Sequence, residues 1–145
     1  MIIVIQRVSH AKVEVEAQCV GQINQGLLIL CGFEPTDTEE TLDKMLQKIL
    51  NFRLFGDKND KMNLSLMDVN GGLLLVPQFT LPAETNKGLR PSFSSAAPPE
   101  QGQALFDRLV QKAQLKYSPT ECGQFGANMQ VHLLNDGPVT FIMHF

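Results

Sequence analysis

The chain carries few side chains suited to covalent or metal chemistry. Its three histidines, His10, His132 and His144, are isolated from one another, and its three cysteines, Cys19, Cys31 and Cys122, form no C-x-x-C pair. A zinc site or a disulfide framework needs paired spacing, which an odd, scattered set does not supply. A Ser-His-Asp or Cys-His hydrolase needs a nucleophile in a strained turn, and neither a G-x-S-x-G segment nor a Cys flanked by small residues is present. Cys31 lies inside an apolar run and reads as a small buried hydrophobe. Two segments stand apart. Pro77-Gln78-Phe79-Thr80-Leu81 follows the apolar residues 73–76, at a strand end where amide groups leave the ladder and become available to a ligand. Asn135-Asp136-Gly137-Pro138-Val139-Thr140 is built of turn-forming residues and, taken alone, reads as a hairpin turn.

These segments need elements to hold them. Ala11, Val13, Val15 and Ala17 alternate with Lys12, Glu14 and Glu16, the period of a strand with one wet face. Residues 2–5 and 26–33 are apolar throughout and read as central strands. Thr36, followed three residues later by Glu39, predicts a capping box for a helix whose apolar face is Leu42, Met45, Leu46, Ile49 and Leu50. Pro98 and Pro99 open a second helix with a stripe of Ala104, Leu105, Leu109, Val110 and Ala113. The chain ends in two predicted strands, Met129-Val131-Leu133 and Val139-Phe141-Met143-Phe145, joined by residues 135–138. Strands outnumber helices, and two helices cannot cover both faces of so much sheet. The expected fold is therefore α/β: a layered β/β/α sandwich of mixed, mainly antiparallel strands with two main helices on one side. Alternatively, part of the apolar strand surface is buried between subunits.

With 145 residues and 43% hydrophobic content, the chain suits one domain spanning 1–145. Its net charge of -3 and pI near 5.5 repel phosphate overall and disfavour a nucleic-acid coat protein. Residues 41–61 and 84–116 each hold a local basic surplus of two, enough for a few phosphate contacts or for ordinary solvated helix faces. No apolar run approaches the ~20 residues of a membrane span, and no signal peptide is apparent, so a cytoplasmic location with reduced thiols is expected.

Taken together, PQFTL at 77–81 and NDGPVT at 135–140 are similar to the two signature motifs of the D-aminoacyl-tRNA deacylase family, in the same order and at similar separation. The likeness extends through IQRV at 5–8, KMNLSL at 61–66, RPSF at 90–93 and FGANMQV at 125–131. One departure is Pro77, where the family usually has Ser; proline supplies neither a hydroxyl nor a backbone donor there. The resemblance implies hydrolysis of the ester joining a D-amino acid to tRNA, with L-aminoacyl-tRNA rejected and no cofactor or metal. It assigns the amides around Phe79 and Thr80 to an oxyanion hole, where one donor is typically worth ~3 kcal/mol. No base is identifiable beside Thr80, which favours positioning over covalent attack.

The resemblance further implies a homodimer in which Gly137-Pro138, a Gly-cisPro element, enters the partner's pocket and reads the α-carbon. Arg7 braces that loop by the same resemblance, and Gln78, Leu81, Phe125 and Met129 contact substrate. Only the tRNA acceptor end is gripped. A filter that excludes L side chains has nothing to exclude in glycine, so glycyl-tRNA should also be hydrolysed. Two other readings stay open: a non-catalytic RNA-binding or assembly module, and a cysteine or metal hydrolase.

Overall fold

The fold turns on one long strand, β1 (Ile2–Val15), which is paired on both edges. The computed structural model describes residues 1–86 and 88–145. Along one edge of β1 runs β8 (Met129–His144); along the other lie β2 (Gln18–Ile23) and then β3 (Gly26–Gly32), all antiparallel to it. β3 continues in parallel to β6 (Gly72–Pro77), and β6 in parallel to β7 (Thr120–Cys122). The sheet then curls until β2 meets β7: a Cβ added at Gly21 would lie 2.6 Å from the Cys122 carbonyl oxygen. The result is a mixed α/β fold, with one nearly closed sheet where two stacked sheets were expected.

Burial explains the curl. Leu27, Ile29, Leu73 and Leu75 face a core shared with the helices, while Leu28, Leu74 and Val76 face a second core built with Val8, Ala11, Val13 and Ile23. β3 and β6 are thus apolar on both faces because both are covered. The helix-side core is closed by α1 (Glu39–Asn51), which buries the five residues expected of it, and by α3 (Pro99–Lys116). Glu39 and Asp43 of α1 pair with Arg108, Lys112 and Lys116 of α3, so much of the predicted basic surplus is spent between the helices. A short hairpin of β4 (Phe55–Gly56) and β5 (Met62–Leu64) leads to the one-turn α2 (Leu66–Val69), which ends on left-handed Asn70.

Three expectations are corrected. The α1 cap is Thr38, paired with Thr41, because Asp37 is committed elsewhere: its carboxylate accepts from the buried Met1 ammonium at 2.7 Å and the Glu34 amide at 2.7 Å. That pins residues 34–37 in a turn and delays the helix. The α3 stripe is Gly102, Phe106, Leu109 and Ala113; Ala104 is exposed. Most consequentially, residues 135–138 make no hairpin. β8 pairs with β1 on both sides of them, Gln6 opposite Thr140 and Val8 opposite Asn135, so residues 136–139 bulge out opposite the single residue Arg7.

Candidate active site

A cleft of about 620 Å³ opens where the parallel strands β3 and β6 end. This is the carboxyl end of a parallel pair, where amides leave the ladder. Cys31 and Val76 form its floor, the start of α3 at Pro98 and Pro99 one wall, and Phe125 and Met129 another. Phe125 is backed by Phe106, with ring centroids 6.3 Å apart, which ties the wall to the core. The Met129 sulfur accepts from the Gln124 amide at 3.3 Å. Among the described residues, no Asp, Glu, Lys, Arg or His lines the cleft. Its one titratable group is the Cys31 thiol, whose pKa burial pushes far above the ordinary range.

The Gln78-to-Leu81 segment forms a β-turn directly after β6. The Gln78 amide closes the ladder by donating to the Cys31 carbonyl at 2.7 Å, and the Leu81 amide donates back to the Gln78 carbonyl at 3.3 Å. Phe79 and Thr80 occupy the turn's two central positions. Among the described residues neither amide donates to a protein acceptor. The Gln78 side-chain amide donates to the Thr80 hydroxyl at 2.6 Å. Of the predicted residues, Gln78, Phe79, Phe125 and Met129 line one cleft, and Thr80 adjoins it. Leu81 instead packs with Pro82 against Gly32. Phe93 was not foreseen as a lining residue; the loop carrying it is folded back by the pairing of Glu84 with Ser92, which no local sequence signal encodes.

The second motif lies apart from this cleft. The Gly137-Pro138 bond is cis, Gly137 has φ +127, and both residues are exposed. A Cβ at Gly137 would meet Val139 atoms at 2.7 and 2.9 Å, in a conformation L residues rarely adopt. Arg7 anchors the bulge: Nη1 donates to the Leu54 carbonyl at 2.6 Å, and Nε lies 3.3 Å from the Asp136 carbonyl oxygen and 3.1 Å from its carboxylate. Asn135 closes the bulge at its base, its side-chain amide donating to the Arg7 and Val139 carbonyls, each at 3.0 Å. The three histidines are all exposed, outside the cleft, and His132 lies 3.2 Å from Glu14. Among the described residues, no group of three or more His, Cys, Asp or Glu is arranged to hold a metal. Among the described residues, no helix is long and apolar enough to cross a membrane.

Comparison with known proteins bears on the family and the fold. The family model for D-Tyr-tRNA(Tyr) deacylase matches residues 4–144. The chain is 62% identical over 145 residues to a D-aminoacyl-tRNA deacylase of Legionella pneumophila (strain Lens), covering 100% of both. It is 61% identical over 143 residues to one of Ectopseudomonas mendocina (strain ymp), covering 99% of both. A solved structure described as a c-Myc DNA Unwinding Element Binding Protein superposes with a TM-score of 0.94 at 38% identity, over 100% of this chain and 99% of that one. A probable eukaryotic D-amino acid tRNA deacylase shares the fold, with a TM-score of 0.83 at 17% identity over 98% and 97% of the two chains. The family model matches nearly the whole chain, both signature segments included, and the chain belongs to the D-Tyr-tRNA(Tyr) deacylase family.

Proposed function

We propose that this chain hydrolyses the ester of D-aminoacyl-tRNA with backbone amides, and that a second copy completes the pocket. The observation that carries this reading is a cleft without an acid or base, bordered by two amides with no protein acceptor. An aminoacyl ester is already activated relative to an amide, so water need only be held and the developing charge stabilised. As water adds to the carbonyl carbon, an electron pair moves onto the carbonyl oxygen, and the Phe79 and Thr80 amides receive that charge. Collapse then breaks the ester C–O bond and expels the ribose oxygen, which takes up the proton given up by the attacking water. Gln78 positions Thr80, while Phe125 and Met129 supply the wall. Leu81 contributes at the turn, where its packing on Gly32 holds the amides in place.

The enzyme must accept many side chains yet read the hand of the α-carbon, so only atoms common to all amino acids are informative. Rigid main chain meets that demand, and the cis Gly137-Pro138 element, braced by Arg7, is the rigid main chain available. It lies outside its own chain's cleft and therefore serves a partner's in a homodimer. Support comes from β8, which among the described residues pairs only with β1 and leaves Leu134, Phe141 and Ile142 exposed. Such an apolar, unpaired edge is normally covered. The substrate places the enzyme in the cytoplasm, gripping only the acceptor end of tRNA, with moderate and weakly salt-dependent affinity in keeping with a net charge of -3.

The test is deacylation of D-Tyr-, L-Tyr- and glycyl-tRNA by one preparation. D-Tyr and glycyl esters should be cleaved and L-Tyr spared by about 10⁴, which corresponds to about 5.5 kcal/mol and suits steric exclusion. An inert glycyl ester overturns the exclusion filter. Binding of RNA with no ester cleaved would favour the non-catalytic alternative, which the likeness to the described DNA-binding structure keeps in view.

A further inference from the structure

We infer that Phe79 and Phe93 form a stacking platform for the unpaired nucleotide that precedes the terminal adenosine of the substrate, with Arg90 meeting the intervening backbone. The inference rests on the deacylase reading and extends it from the reacting end to the RNA. Both rings line the mouth of the cleft, yet they remain 58% and 44% exposed. They meet edge to face with centroids 5.2 Å apart, fixing each other in place while leaving ring surface open. The loop under Phe93 is also held: Glu84 and Ser92 exchange backbone bonds of 2.9 and 3.0 Å, and the Ala97 amide donates to the Phe33 carbonyl at 2.9 Å. Two exposed, mutually braced phenylalanines on a fixed rim present flat apolar faces on which a base can stack.

The cleft's size identifies what that is. A volume of about 620 Å³ suits a small ligand such as an aminoacyl-adenosine, so the rest of the RNA must leave across the rim. Single-stranded RNA is held chiefly by base stacking on aromatic side chains, in a sequence-tolerant way. With a net charge of -3, the molecule offers no general attraction for RNA, so the grip beyond the adenosine has to be local and largely uncharged. Arg90, exposed three residues before Phe93, has no carboxylate within ion-pair distance among the described residues.

The test compares kcat/KM on two esters, D-tyrosyl-adenosine and the D-tyrosyl ester of the trinucleotide CCA. Wild type should gain at least about tenfold on extension. Phe93→Leu, still apolar but unable to stack, should bring the gain close to one through KM, and Phe93→Tyr should keep it. Arg90→Gln should reduce the salt dependence on the trinucleotide ester by about 0.7 in log-log slope. Phe93 is exposed, so an unchanged urea midpoint will show that the variants fold. A wild type that cleaves both esters equally, or a Phe93→Leu variant with the full gain, removes the platform and leaves the deacylase reading standing. A wild type that cleaves neither removes both.

Discussion

A hydroxyl beside an ester invites the role of nucleophile, and Thr80 supplies one. Its surroundings argue otherwise. Its hydroxyl is held by the Gln78 side-chain amide, a donor that cannot take a proton, and no carboxylate, amine or imidazole lines the adjoining cleft. If the neighbouring amides do the work, Thr80→Ala should lower kcat by about tenfold or less, whereas loss of a covalent nucleophile costs on the order of 10⁴ or more. The amides themselves can be removed one at a time. Phe79 stands at the first central position of its turn, which proline tolerates, so Phe79→Pro deletes a donor without breaking the turn. Its kcat should fall about 10²–10³-fold below that of Phe79→Ala, which lacks the same ring but keeps the amide; equal rates would remove Phe79 from the oxyanion hole. At this scale the sequence was legible: Gln78, Phe79, Phe125 and Met129 do share one cleft. Leu81 lies outside the cleft lining and Phe93, which was not foreseen, lies in it; their positions depend on packing against Gly32 and on a long-range pairing, neither of which local pattern records.

Elements were legible wherever period alone decides them. The apolar face of α1 follows from helix geometry and appears as expected; the alternation of β1 holds through Ala11 and Val13, but the strand ends at Val15, and Glu16 and Ala17 form an exposed left-handed turn to β2 instead of continuing it. Residues 135–138 have every local mark of a hairpin, yet β8 passes straight through them. The side chains of Asn135 and Arg7 supply hydrogen bonds that the bulge removes from the ladder, a compensation visible only once both strands are in place. Side chains also hold the segment between β4 and β6. Asp57 accepts from the Asn63 side chain and from the amides of Asn59 and Lys61, and Asp68 accepts from the amide and hydroxyl of Ser65. These bonds hold both carboxyls below their ordinary pKa. A carboxylate depressed in the folded state adds stability above its unfolded pKa of about 3.9 and loses it as pH falls through the folded value. The urea midpoint should therefore be nearly level between pH 7 and 5 and decline below about pH 4. The decline should be shallower in Asp57→Ala, which starts lower; an unaltered acid limb in that variant would exclude this turn as its source.

At the scale of the whole molecule, residues 135–140 are not among those that line the cleft, and the proposed homodimer is what would join the two signature motifs. The cleft holds the first motif, while the second projects from the edge strand beside exposed Leu134, Phe141 and Ile142. Leu134→Glu combined with Ile142→Glu should therefore yield a monomer by sedimentation, with wild-type circular dichroism and deacylation reduced at least about 100-fold. A subtler experiment asks whose loop serves whose cleft. Gly137→Val spoils the loop, since a side chain there meets Val139 at a φ of +127, but leaves the cleft intact. Phe79→Pro spoils the cleft but leaves the loop intact. Each homodimer should be nearly inactive. Unfolded together and refolded, they form a mixed dimer in which one cleft with both amides receives one unaltered loop. Random pairing makes half the dimers mixed, each with one working site of two, so activity should return to about a quarter of wild type. If each loop served its own chain's cleft, every site would carry one defect, and mixing would restore nothing.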